Sequence, residues 1–259
     1  MLDTNAPDLP HEWQPLIDPD QPLSSMAPFG VDTALSETFS LFLRNFWLIT
    51  KTVVVTIAPF EIFRAINLAN TSENWGLAVA SFLLSGAAKV LVVPALIYAL
   101  MKILLKGVAP SVHESYRWGL TKFVKLGICT IIVSTLQALG YALFIIPGII
   151  VTLCFVLVYP IAVLEPGSVT EVFERSIELT RGRRLQILAA QIVVGILLVI
   201  ASVGVSFFME GVTFWPVTAF VAIANDVLDQ LLTVLSLVIY LTLPRSPLTG
   251  GNSVLSLKQ

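Results

Sequence analysis

No lysine or arginine precedes Arg44, and only 12% of the 259 residues carry a charge at all. Soluble domains of ordinary composition carry roughly 25%, so composition alone excludes a water-soluble globular chain. Histidine is scarce as well. His11 and His113 lie far apart, and there is no His-Glu-x-x-His, no phosphate-binding glycine loop and no Gly-x-Ser-x-Gly elbow. No metal site, cofactor or enzymatic activity is therefore expected. The chain also lacks a basic stripe with interleaved aromatics, which removes nucleic acid from the expected partners. Its two cysteines, Cys129 and Cys154, sit inside apolar runs and read as small buried side chains.

What the chain does have is hydrophobicity, at 56% apolar residues and a mean hydropathy of +0.87. Runs of the ~20 apolar residues needed to cross a bilayer recur along it. They predict an all-α polytopic bundle with six spans, over roughly 46–68, 76–104, 126–146, 149–164, 186–209 and 219–243. The fourth is short, and Ile146-Pro147-Gly148 predicts a tight turn joining it to the third. Residues 1–29 are acidic and proline-rich, and composition predicts a disordered tail. With no basic segment followed by an apolar one at the start, no cleavable signal is expected, and the first span is expected to direct insertion.

Loop charges predict the orientation. Lys102, Lys106, Arg117, Lys122 and Lys125 fall in one loop, and Arg175, Arg181, Arg183 and Arg184 in another. The opposite loops, Asn70–Trp75, Pro147–Gly148 and Glu210–Pro216, contain no lysine or arginine. The positive-inside rule then puts both termini and both basic loops in the cytoplasm. Trp75 and Trp215 are expected at the outer interface, and Trp47 and Trp118 at the inner one.

The most informative stretch runs from Glu165 to Arg184. Ser168 and Glu171 have capping-box spacing. Val169, Val172, Phe173, Ser176, Ile177 and Thr180 predict an apolar face, with Glu171, Glu174, Arg175, Glu178 and Arg181 opposite. Ending in Arg181, Arg183 and Arg184, such a helix suits a membrane surface. The pattern recurs. Gly30-Val31, Ser111-Val112 and Ser168-Val169 are equivalent starts, with Leu35, Tyr116 and Phe173 four residues past each valine. Ser111 and Glu114 repeat the capping box. The expected domain, 30–245, is thus a threefold repeat of surface helix plus two-span hairpin, with units of about 30–105, 111–165 and 168–244. A cytoplasmic tail, 246–259, follows.

The run Val169-Thr-Glu-Val-Phe-Glu-Arg-Ser-Ile-Glu-Leu-Thr-Arg-Gly-Arg183 follows Pro147-Gly148 and Val163-Leu-Glu-Pro-Gly167. Together these resemble a group of bacterial multi-span proteins that includes the glycerophosphodiester phosphodiesterase membrane domain and YciC-like inner-membrane proteins. The resemblance covers about 145–190 and returns at the last span, where Tyr240 and Arg245 match the group's tyrosine and arginine. Val172 departs from the alanine common there, and no phosphodiesterase domain is present. The resemblance implies a bacterial cytoplasmic membrane protein and no particular activity.

Ionisable residues within spans cost some 2.5–3.5 kcal/mol each to insert, so each is a candidate functional residue. They are Glu61 and Arg64 in the first span, Lys89 in the second, and Asp226 and Asp229 in the last. Glu61 and Arg64 are three apart and predict a pair on one helical face. Depth counting puts Lys89 level with Asp229, and predicts pairing with Asp226 or Asp229. Glu165 is expected to pair with Arg181, Arg183 or Arg184. The function that follows is a non-enzymatic, membrane-organising or lipid-interacting protein. Its expected partners are membrane lipids, with a further copy or another membrane protein also compatible. The alternative is a small transporter or lipid-translocating permease centred on Lys89 and the two aspartates.

Overall fold

The computed structural model describes residues 30–69, 75–208 and 214–243, and among these every regular element is a helix. In chain order they are α1 (Val31–Arg44), α2 (Phe46–Ala69), α3 (Trp75–Lys106), α4 (Val112–Leu143) and α5 (Ile145–Phe155). They continue with α6 (Val158–Leu164), α7 (Val169–Thr180), α8 (Arg184–Phe208) and α9 (Trp215–Thr242). Among the described residues six spans are long and apolar enough to cross a membrane: α2, α3, α4, α5 with α6, α8 and α9. The protein is a multi-pass α-helical membrane protein. The expected disordered tail 1–29, parts of the loops Asn70–Trp75 and Glu210–Pro216, Arg245, and the C-terminal tail with Lys258 lie outside the described residues.

Three local expectations are corrected. The break between the third and fourth spans falls at Phe144, whose backbone is extended (φ −165°, ψ 157°), rather than at Ile146-Pro147-Gly148. Pro147 and Gly148 instead sit in the first turn of α5, where a proline displaces no intrahelical hydrogen bond. The second surface helix is not a separate element. α4 runs unbroken from Val112 to Leu143, because only glycines interrupt that stretch, and each costs about 1 kcal/mol against about 3 for a proline. Its expected capping box is half formed. Ser111 accepts the Glu114 N–H at 3.1 Å, while the Glu114 carboxylate turns away to Lys102 and Tyr98.

By contrast α7 carries the complete box. Glu171 N–H donates to Ser168 Oγ at 3.4 Å, and Ser168 N–H to Glu171 Oε2 at 3.3 Å. The chain enters this cap through Gly167 at φ +122°, a backbone angle that disfavours any side chain. Val172, Ser176, Leu179 and Thr180 form its buried face. Ile177, expected on that face, is 39% exposed, and Phe173 packs edge-on against Phe155 of α5. On α1 the buried residues are Ala34, Thr38, Leu41 and Phe42, and the helix packs on α8 and α9.

The second hairpin closes through a backbone approach. A Cβ on Gly140 would lie 2.9 Å from the Gly148 Cα, so α4 and α5 meet here with no side chain between them. Further on, Pro160 has no N–H to offer the Val156 carbonyl, and the span breaks at Val156-Leu157 into α5 and α6. Every residue of α6 but Tyr159 is buried, and the helix touches α3, α4, α7 and α9. It is the axle of the fold.

The apolar core gathers at the end of the bundle where α1 and α7 lie, called here the collar end. It is built from Ile49, Val53 and Ile57 of α2, Val92 to Met101 of α3, α6, the start of α8 and Val234 to Leu243 of α9. Towards the other end, large side chains such as Leu143, Phe144, Phe207 and Phe220 face outward, as lipid-facing surface does.

Candidate functional site, a polar cluster among three membrane helices

Where the core thins, α2, α3 and α9 bring charges together. Glu61, Lys89 and Asp226 lie 15, 17 and 16 residues from the collar ends of their helices. At 1.5 Å per residue all three are about 23–26 Å along the bundle. An isolated charge at such depth is unfavourable, so each has found a partner. Lys89 Nζ lies 2.6 Å from Asp226 Oδ1. Arg64 donates Nε–H to Glu61 Oε2 at 2.8 Å, with its Nη2 at 2.5 Å from the same oxygen.

Ser85 links the two pairs. One turn before Lys89 on α3, it donates to Glu61 Oε1 at 2.7 Å. Sequence reasoning missed this serine, although its i,i−4 spacing from a membrane-embedded lysine was the available signal. Gln230 extends the cluster along α9, donating Nε2–H to the Asp226 carbonyl at 3.1 Å.

The burial is lopsided. Both paired carboxylates are inside, Glu61 at 1% and Asp226 at 6% side-chain exposure, while Arg64 is 42% and Lys89 48% exposed. The cations therefore form the outer surface of the cluster, each backed by a buried carboxylate. Two acceptors are left over. Asp226 Oδ2 is buried without a hydrogen-bond partner among the described residues. Asp229, one turn further along α9, is exposed and makes no hydrogen bond or ion pair among them.

At the collar end a second network gathers the residues behind the family resemblance. Tyr240 donates to Glu165 Oε1 at 2.8 Å, and Arg175 Nε lies 3.8 Å from Glu165 Oε2. Arg175 also meets Glu178 at 3.1 Å, and Lys125 donates to the Glu165 carbonyl at 3.1 Å. This corrects two readings. Glu165 pairs with Arg175 rather than with Arg181, Arg183 or Arg184, and Arg175 turns inward instead of facing away. The reason is that α7 packs back on α5 and α6, which carries Arg175 over the end of α6 while the three later arginines lie beyond the helix.

Arg181, Arg183 and Arg184 line an open hollow of about 430 Å³ with Gly182, Leu185 and Gln186. A second cleft of about 420 Å³, between α3 and α4, is lined by Tyr98, His113, Glu114, Arg117, Trp118 and Thr121. Glu114 is engaged there already, by Lys102 at 2.5 Å and Tyr98 at 2.7 Å. Cys129 and Cys154 are unbridged thiols, and among the described residues no group of three or more His, Cys, Asp or Glu side chains is placed to hold a metal. His11 lies outside the described residues.

No protein-family model matches this chain, and neither a curated protein nor a solved structure is similar to it.

Proposed function

We infer that the protein is a non-enzymatic, lipid-interacting component of a bacterial cytoplasmic membrane, with both termini in the cytoplasm. The observation that carries the reading is the lopsided burial of the α2–α3–α9 cluster. A pair that served packing alone would bury both partners. Here Lys89 and Arg64 stay 48% and 42% exposed, although their carboxylates are within. On the membrane-facing surface, what meets those cations is a lipid headgroup or water drawn in with it.

The orientation rests on the positive-inside rule, with the basic residues of 102–125 and 165–184 at the collar end. The threefold repeat belongs to the same reading. Ser111 and Ser168 each accept the N–H three residues on, which supports equivalent starts for the second and third units. The resemblance to YciC-like proteins is supported by the meeting of Glu165, Arg175 and Tyr240, three residues that the shared pattern contains.

A second reading, a small lipid-translocating permease or transporter centred on Lys89, Asp226 and Asp229, is favoured by the two unpartnered acceptors beside Lys89. Native mass spectrometry of co-purifying lipid, on wild type and the Arg64→Ala/Lys89→Ala variant, tests the first reading. Lipid held selectively by the wild type and lost in the folded variant is the expected result. Lipid that is unselective and unchanged in the variant would return both cations to a packing role.

A further inference from the structure

The charge pattern of the cluster narrows what kind of lipid it can hold. Three carboxylates, Glu61, Asp226 and Asp229, stand against two cations, Arg64 and Lys89, a formal excess of one negative charge. An ammonium group has three donors and a guanidinium five. Lys89 uses one on Asp226, and Arg64 uses its Nε–H and one Nη2 donor on Glu61. Both half-exposed cations therefore keep donors pointing outward. Beside them Asp229 presents a carboxylate with no donor, and Asp226 Oδ2 has none either. The surface thus offers unused donors beside the exposed carboxylate of Asp229, while Asp226 Oδ2 stays inside.

A purely anionic headgroup would meet the donors but bring its phosphate against Asp229 and raise the excess to two. A zwitterionic headgroup meets both. Its phosphate faces Arg64 and Lys89 while its cation faces Asp229. The acceptors then choose between zwitterions, because a carboxylate oxygen needs an N–H donor, which a primary ammonium carries and a trimethylammonium lacks.

We propose that the α2–α3–α9 cluster is a binding site for the headgroup of a zwitterionic phospholipid with a primary ammonium, Asp229 receiving the ammonium and Arg64 with Lys89 the phosphate. This rests on the lipid-interacting reading above and specifies its ligand. The exposed apolar side chains beside the cluster, Ile62 and Phe63 on α2, are suited to the acyl chains.

The test is retention of defined lipids by the purified full chain in detergent, read by native mass spectrometry. Phosphatidylethanolamine, phosphatidylcholine and phosphatidylglycerol of identical chains are offered together. Phosphatidylethanolamine should be retained about tenfold over the other two, the scale of one charge-assisted hydrogen bond. Asp229→Asn should erase the preference by lowering phosphatidylethanolamine retention to the level of the other two lipids. Asp229→Lys, which reverses the sign of the excess, should favour phosphatidylglycerol. Soluble phosphoethanolamine distinguishes a lipid site from a small-molecule one, and should fail to displace the lipid.

Equal retention of phosphatidylcholine, a wild-type preference for phosphatidylglycerol, or an unchanged preference in Asp229→Asn would each overturn the assignment while leaving a lipid-interacting protein. Displacement by the soluble compound would overturn its lipid half. If neither wild type nor Arg64→Ala/Lys89→Ala retains any lipid, the underlying reading falls with it.

Discussion

The Tyr240 hydroxyl donates to Glu165 Oε1 at 2.8 Å across 75 residues of chain, tying the end of the last span to the end of the fourth. Tyr240 is 1% exposed, so its hydroxyl has no water to turn to. A hydrogen bond to a charged acceptor contributes about 1.5–3 kcal/mol. Tyr240→Phe should lower unfolding stability by about that amount, measured by denaturant titration in detergent. Glu165→Ala should cost more, since Arg175 then loses one of its two carboxylates. Equal stability of wild type and Tyr240→Phe would mean the contact contributes nothing.

The membrane cluster separates architecture from function. Replacing a buried ion pair by apolar residues of similar volume is often neutral or stabilising, whereas removing one partner is costly. Lys89→Met/Asp226→Leu should therefore stay folded and inserted, as judged by gel filtration and thermal melting. Lys89→Met alone should be less stable than the double variant, because it leaves Asp226 buried and unpaired. A double variant less stable than the single one would count against this account.

Two glycines should behave oppositely. Gly140→Ala puts a methyl 2.9 Å from the Gly148 Cα, which is backbone and cannot step aside. The forced separation of α4 and α5 should cost about 1–3 kcal/mol, more than the ~1 kcal/mol that alanine gains in helix propensity. At Gly195 of α8 an added Cβ meets nothing within 4 Å, so Gly195→Ala should be neutral or stabilising. Thermal melts of the two variants side by side decide the matter.

The cap of α7 gives a local prediction. Ser168→Ala removes the acceptor for the Glu171 N–H and should cost about 1 kcal/mol. Hydrogen exchange should quicken at Thr170 and Glu171 and leave α9 unaffected. Exchange unchanged in the first turn of α7 would show that packing against α5 and α6 holds the helix without its cap.

The six spans and the collar-end cap were legible because they are written in local periodicity, in apolar runs and in Ser-x-x-Glu spacing. Counting depth set Lys89 level with Asp229, one turn from the Asp226 that it meets, since helical rise is fixed but the end from which α9 is counted, Thr242 rather than Arg245, is not. What escaped were the contacts that depend on how helices pack. Glu165 was assigned the wrong arginine because sequence distance favours none of them, and only the packing of α7 on α5 and α6 selects Arg175. Ser85 was passed over because a serine in a membrane helix is unremarkable until a carboxylate from α2 arrives beside it. The break at Phe144 was displaced by three residues because Pro147-Gly148 has two uses, turn or helix start, and the approach of Gly140 selects the second.

The continuity of α4 has a mechanical consequence. α1 meets its span through Asn45, and α7 meets its span through the turn at Arg181-Gly182-Arg183, where Gly182 takes φ +83°. Each is set off from its span by a break in helical geometry. α4 has none: its thirty-two residues form one shaft of about 48 Å, from the cleft beside Tyr98 and Trp118 to the far end of the bundle. A push or twist delivered at His113 or Arg117 is not absorbed locally. It is carried along one continuous helix to Gly140, at the hairpin with α5, which sets α4 apart from the jointed entries of α1 and α7.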